Sequence, residues 1–418
     1  MNRYPLQPRP QRWEARLSPL VIRLTRALRR RRAATRERLI GVEVHGAEIV
    51  REAVQRGQGV LITPNHPGHA DAYIMFEAAD AAGTPFYFMS AWQVFALQGP
   101  VGRWLLTRHG CFSVDREGAD KEAFRTAVEI VRAKREPLVV FPEGEVYHQN
   151  DRVTPFREGA AAIALSAAKK ATREIVAIPC AIRYRYVQDP MPQMLDLMSR
   201  LEEKVLWRPR PDLPLPQRIY RFAEALLALK EIEHVGQTQE GTLPLRTTML
   251  ADHVLRGIEG RYGLASPAGG SNLAGSVPVR IKEARAAALK RLAELDEGGA
   301  PPRETASGSL PEDASGDPRA RIAHVLDDLF LVLQAFSYPG DYVDERPTVE
   351  RLAETLDKFE EDVLGATTAT VRADRRATVT FGEPIAAGGA GSDAGRVRAG
   401  DLTAALEEAV QSLLDAGG

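Results

Sequence analysis

From residue 42 to residue 187, short apolar runs bounded by Gly and Pro alternate with stretches of helical spacing, and this alternation limits the fold more than any other feature. Val60–Thr63, Phe86–Met89, Cys111–Val114, Leu138–Phe141 and Ile175–Arg185 have the length and β-branched or aromatic content of strands. Between them, Asp71–Asp80 has helical spacing, Phe124, Val128 and Val131 mark the buried stripe of a helix that stops before Pro137, and the Ala-rich Arg157–Ala171 forms another. A strand–helix–strand order requires parallel strands joined by crossovers, with helices covering the sheet. Strands this uniformly apolar are buried on both faces. The expected class is therefore α/β, a mostly parallel mixed sheet flanked by helices.

After Gln188-Asp-Pro-Met-Pro192 the pattern becomes all-helical, with helices expected over 214–235, 244–262, 279–296, 319–336 and 347–363. Ala265–Ser276 and Glu297–Asp317, rich in Gly, Ser, Pro and Ala, read as mobile spacers. A strand returns at Ala377-Thr-Val-Thr-Phe381, followed by a loose stretch, Ala386–Gly400, and an amphipathic helix, Leu402–Leu414. The helical block thus reads as an insertion between two strands of one sheet. Four segments result: 1–41, a basic N-terminal helix; 42–188, the first part of the α/β domain; 189–370, the insertion; and 371–418, the return strand and last helix. A length of 418 residues accommodates two or three domains. Two cysteines, Cys111 and Cys180, are too few for a disulfide framework and read as small buried apolar residues.

The net charge of -1 conceals an asymmetry: residues 1–40 hold twelve Arg against Glu14 and Glu37, a local +10 that leaves -11 for the rest. Trp13, Leu17, Leu20, Val21, Leu24 and Leu28 recur at three- and four-residue intervals, so the arm reads as an amphipathic helix. Such a helix suits an anionic membrane surface, where each basic residue contributes roughly 1 kcal/mol. A helix packed on the domain with a solvated basic face is the plain alternative. No nucleic-acid module accompanies the arm, so nucleic acid is not an expected partner. No run of 18 apolar residues occurs, and Arg23 and Arg26 interrupt the one candidate signal region. The expected location is the cytoplasm, peripheral on the inner face of a membrane; the oligomeric state is open.

Chemistry concentrates in Pro64-Asn65-His66-Pro67-Gly68-His69-Ala70-Asp71, the turn from the most apolar strand into a helix. Such a turn lies at the carboxyl edge of the sheet, where open α/β folds place their sites. Four residues separate His66 from Asp71, so the first helical turn can bring the carboxylate under the imidazole. A carboxylate on one ring nitrogen fixes the tautomer and leaves the other nitrogen as a base. Alone this spacing also fits a structural histidine. A second cluster raises the functional weight: Leu138-Val-Val-Phe-Pro-Glu-Gly144 delivers Glu143 to the same edge, Gly110–Arg116 delivers Arg116, and Thr154–Gly159 opens a helix whose N-terminus suits anions.

In order, Asn65-His66-x4-Asp71, Gly110–Arg116, Phe141-Pro-Glu-Gly144 with Phe156-Arg-x-Gly159, and Ile175-Val-Ala-Ile-Pro179 resemble the four sequence blocks of the glycerolipid acyltransferase family, typified by 1-acylglycerol-3-phosphate acyltransferases. Val379-Thr-Phe-Gly-Glu-Pro384 is similar to that family's late strand. The resemblance covers about 45–185 and 376–385. It implies transfer of a fatty acyl group from an acyl-CoA or acyl-carrier-protein thioester to a lipid hydroxyl, with no metal and no other cofactor. It further implies that His66 is the general base and Asp71 its orienter, that Glu143 and Gly144 hold the acceptor, and that Arg116 pairs with the acceptor's phosphate. The third block departs from the family by continuing Glu145-Val146-Tyr147 in place of Thr-Arg-Ser; Arg152 or Arg157 of the next loop can stand in for the missing arginine. Gly68 replaces a usual Ser, and Ser113 a common Phe. Two other readings remain open, a membrane-bound scaffold with a degenerate site and a hydrolase whose metal is held by His66, His69 and Asp71. His148 and the other scattered histidines read as structural or exposed.

Overall fold

The computed structural model describes residues 11–116, 120–266, 273–296, 317–338, 340–343, 347–388 and 397–417. Its strands are β1 (Leu39–His45), β2 (Gly59–Pro64), β3 (Tyr87–Ala91), β4 (Cys111–Val114), β5 (Leu138–Val139), β6 (Ile175–Tyr186), β7 (Arg375–Phe381) and β8 (Ile385–Gly388). They form one sheet in the order β1-β7-β6-β2-β5-β3-β4, with β8 beside β6. Pairings within the path are parallel except β6 with β7; β8 also runs antiparallel to β6. This is the mostly parallel mixed α/β sheet the alternation requires, and the late strand does return beside β6. β1 and β8 are additional: β1 is half-exposed and interrupted by Gly41 and Glu43, so its period is faint, and β8 lies in the stretch expected to be loose.

Every residue of β2 is buried, because β6 and β5 flank it and helices cover both faces. One layer of core joins Val60, Ile62, Ile74, Met75, Ile178 and Val379; the other joins Leu61, Phe112, Ala127, Val131, Ala164 and Leu406. β6 outruns β2 by six residues, and two asparagine side chains complete its edge. Asn65 pairs with the N–H and C=O of Ile182 at 2.7 and 3.0 Å, and Asn150 pairs in the same way with Tyr184. Buried backbone groups need such partners. Asn65, fully buried, therefore fixes the start of the turn that follows β2.

The arm is two helices, Pro19–Leu24 and Arg26–Arg36, broken at Thr25 and preceded by an extended segment. Ser113, the residue replacing a common Phe, explains that segment: its hydroxyl accepts from the Trp13 N–H at 2.8 Å, and its own N–H donates to Trp13 O at 2.9 Å. Trp13 stacks on Phe95 and is not part of a helical face. The inward side of the two helices carries Ile22, Arg29 and Ala33, while Leu20, Leu24 and Leu28 are exposed. Arg26 and Arg30 pair with Asp80 and Glu77 of helix Asp71–Ala82. Residues 1–10, including Arg3 and Arg9, lie outside the described residues.

The chain divides into two compact units. One contains the sheet, with Pro10–Met194, Val349–Glu361 and Ala366–Gly418; the other centres on Leu195–Thr348. The helical unit is built from Leu215–Val235, Leu243–Tyr262, Leu273–Asp296 and Pro318–Phe336, packed through Leu250, Val254, Ile258, Val325, Leu329 and Val332. Helix Met191–Leu206 was not expected from the sequence, and Leu273–Asp296 begins inside the expected first spacer. Residues 267–272 of that spacer, 297–316 of the second, and 389–396 of the third lie outside the described residues. Helix Val349–Asp362 packs largely within the sheet unit: Glu350 accepts from the Tyr186 N–H, Glu354 from the Asn150 N–H, and Arg351 pairs with Asp151.

Candidate active site

The turn after β2 begins at Asn65 and ends in helix Asp71–Ala82, so the backbone carries His66 and Asp71 round to face one another. His66 Nδ1 lies 2.7 Å from Asp71 Oδ2, which also accepts from the Gly68 N–H at 3.1 Å. The other carboxylate oxygen accepts from the Tyr184 hydroxyl of β6. Asp71 is fully buried, and these three donors balance the cost of removing a charged carboxylate from water. An acceptor on Nδ1 fixes that nitrogen as the N–H donor and leaves Nε2 with its lone pair. The His66 side chain is 23% exposed, enough for a substrate to reach, and its ring stacks on Phe141 with centroids 4.1 Å apart.

Tyr184 explains the Gly at position 68. A Cβ there would lie 3.2 to 3.3 Å from the Tyr184 ring and hydroxyl, so a larger residue would press on the group that holds Asp71. The sequence shows Tyr184 only as an alternating strand residue, and its bond to Asp71 depends on a register that local pattern does not reveal.

Glu143 sits beneath the turn, buried, and accepts from the His66 backbone N–H at 2.9 Å. Burial pushes its carboxyl up to about 8, against the pull of that N–H. Its carboxyl thus braces His66 from the interior. Gly144 follows in the left-handed region, φ +80°, and a Cβ there would lie 2.8 Å from Cζ and Nε of Arg157. Arg116 donates to Gly144 O at 2.5 Å and pairs with Glu145 at 3.0 Å. Glu145 stands in the departed part of the third block, so any anion approaching Arg116 must compete with it. Arg157 is exposed, lies against Gly144 and contacts the buried Tyr147 hydroxyl. His66, Asp71, Glu143, Gly144, Arg116 and Arg157 therefore converge on one sheet edge, although they come from three separated stretches of chain.

The three residues considered as metal ligands, His66, His69 and Asp71, do not form one set. Asp71 is occupied by His66, Gly68 and Tyr184, while His69 turns away to Glu361, 3.0 Å distant. His148, expected to be structural or exposed, is buried and also faces Glu361.

A buried carboxylate holds one nitrogen of an accessible imidazole at the carboxyl edge of a parallel strand in an α/β protein, an arrangement whose chemistry suits a general base. The comparison with known families then names the domain: a model described as Acyltransferase matches residues 41–183, so this stretch is an acyltransferase domain of the glycerolipid acyltransferase family, which includes 1-acylglycerol-3-phosphate acyltransferases. Curated proteins give no match to the chain.

Proposed function

We propose that this acyltransferase moves a fatty acyl group from an acyl-CoA or acyl-carrier-protein thioester to a hydroxyl of a lysophospholipid or related glycerolipid, with His66 as general base. The observation that carries the reading is the 2.7 Å contact between Nδ1 and a fully buried Asp71, with the imidazole itself open to solvent. In this reaction Nε2 takes the proton of the acceptor hydroxyl as its oxygen bonds to the thioester carbonyl carbon. Asp71 stabilises the imidazolium so formed. The tetrahedral intermediate collapses, the C–S bond breaks, and the imidazolium returns its proton to the departing sulfur. Ester and free thiol result, and His66 is again neutral. A thioester is already activated, so one base and good positioning suffice and no acyl-enzyme is needed.

Glu143 acts by positioning His66, while Gly144, Arg116 and Arg157 line the acceptor side. Arg157 is the better anion partner, because Arg116 already serves Gly144 O and Glu145. Co-substrates are the thioester and the lipid; no further cofactor enters this reaction.

The same reading places the protein on the inner, cytoplasmic face of an anionic membrane through the arm. Leu20 and Leu24 are 60% and 72% exposed, and the adjoining helix Pro100–Arg108 exposes Val101 and Trp104. Arg23, Arg31, Arg32 and Arg36 are exposed on the same two arm helices. No helix among the described residues is long and apolar enough to cross a membrane, which suits a surface-bound mode.

Purified protein incubated with long-chain acyl-CoA or acyl-carrier protein and a panel of lysophospholipids tests the proposal. Acylated lipid and stoichiometric free thiol are expected. Absence of transfer with every donor and acceptor would leave the scaffold reading in its place.

A further inference from the structure

His69, His148 and Glu361 come from three places in the sheet unit: the turn after β2, the loop after Gly144, and the end of helix Val349–Asp362. One nitrogen of each histidine and one carboxylate oxygen of Glu361 all lie within 4.8 Å of one another. His69 Nε2 is 3.0 Å from Oε1 of Glu361, and His148 Nε2 is 3.3 Å from Oε2. The two rings are nearly perpendicular, 72°, with centroids 5.4 Å apart, so their nitrogens approach from different directions.

Two features of His148 are costly unless something uses them. It holds φ +50°, a region that residues with a Cβ rarely adopt. Its Nε2 is sealed from solvent, and its contact with Glu361 Oε2, at 3.3 Å, is long and poorly aligned for a hydrogen bond. Buried polar nitrogens ordinarily have partners. The carboxylate, by contrast, is well supported: Glu361 Oε1 also accepts from the Ala369 N–H at 2.8 Å, the kind of outer contact that orients a metal ligand.

We propose that His69, His148 and Glu361 bind a divalent transition metal, zinc by ligand type, as a clasp that fixes the turn carrying His66. Two imidazoles and a carboxylate are three of the four ligands of a tetrahedral zinc, with water in the fourth position. At metal–ligand distances of about 2.0 to 2.2 Å, a tetrahedron's edges are about 3.4 Å; the two histidines face different oxygens of Glu361, and a separation of up to 4.8 Å must close by about 1.4 Å through side-chain rotation. His69 lies between Gly68 and Asp71, both of which hold the His66 pair. Bound metal would therefore tie that turn to the loop at His148 and to helix Val349–Asp362. The inference rests on these three side chains and not on acyl transfer.

The test uses full-length protein without a histidine tag, stripped with EDTA and dialysed against Zn2+ or Co2+. The expected result is one zinc per chain, ligand-field bands of four-coordinate Co2+, and a Tm that rises with Zn2+ and falls back with EDTA. His148→Ala and Glu361→Gln should each weaken Zn2+ binding at least about 10- to 100-fold, the loss typical for removal of even an outer-shell partner. Wild-type protein that takes up no zinc, shows no Co2+ bands and keeps the same Tm in Zn2+ and EDTA would overturn the proposal. So would zinc binding that persists unchanged in both variants. The wild-type measurements decide even if a variant fails to fold.

Discussion

Replacing Asp71 by Asn separates two ways in which a carboxylate can serve a histidine base. The side chain has three donors around it: Nδ1–H of His66 and the Gly68 N–H on Oδ2, and the Tyr184 hydroxyl on the other oxygen. In the amide, only one orientation suits the site. Placing the NH2 where Oδ2 stands would set it against the Gly68 N–H, so the amide oxygen must stay there and the NH2 must face Tyr184, whose hydroxyl can turn to accept. His66 therefore keeps its tautomer, and only the charge is lost. A hydrogen bond to a charged group contributes about 1.5 to 3 kcal/mol and a neutral one about 0.5 to 1.5, so the imidazolium loses about 1 to 2 kcal/mol of support. That is a fall of about 5- to 30-fold in kcat/KM. Loss of the base altogether, as in His66→Ala, should cost about 100- to 10,000-fold. Thiol release from acyl-CoA with the best acceptor measures both. If Asp71→Asn falls as far as His66→Ala, the Gly68 N–H does not fix the amide; if it matches wild type, Asp71 does not act through the imidazole.

Tyr184→Phe removes one of the donors to Asp71 and should destabilise the protein by about 1 to 3 kcal/mol, read by denaturant unfolding; unchanged stability would mean that Tyr184 does not support the carboxylate. Gly59→Ala should be more severe, since its Cβ would lie 2.2 Å from Val131 O and 2.5 Å from Ile175 Cδ1, backbone and core that cannot yield cheaply; loss of soluble folded protein is expected. Glu143 gives a pH dependence. Its folded carboxyl is raised to about 8 from an ordinary 4.5. Between those values the unfolded chain has released a proton that the folded chain keeps, so stability falls as pH rises, by up to about 1.4 kcal/mol per pH unit. Glu143→Gln should flatten that slope in unfolding curves taken from pH 5 to 8, within about one pH unit of those limits. Leu20→Glu with Leu24→Glu should weaken binding to anionic vesicles in co-sedimentation; unaltered binding would remove the arm from the membrane account.

Much of the fold was legible because β2 and the first eight residues of β6, Ile175–Ile182, are buried on both faces and so appear as nearly unbroken apolar runs. The His66 and Asp71 pair was legible for a related reason: a strand ending in Pro-Asn-His and a helix starting at Asp71 leave few ways to place the two side chains. What stayed hidden depends on contacts between distant residues. Asn65 and Asn150 act as extensions of the sheet, a role that only the length of β6 creates. Tyr184 reaches Asp71 from 113 residues away, and Ser113 holds Trp13 from 100 residues away. The arm's break at Thr25 leaves no mark in the pattern, because its leucines keep helical spacing across it, and Trp13, which stacks on Phe95, lies outside any helix.

If His66 removes the proton of an acceptor hydroxyl, loss of its imidazole must slow the transfer step itself. The most direct measurement is single-turnover acyl transfer by wild type and by His66→Ala, with lipid product and free thiol both quantified and Tm measured alongside. The variant should fold normally and lose about 100-fold or more of the transfer rate. A His66→Ala protein that folds and transfers acyl groups at the wild-type rate would contradict it.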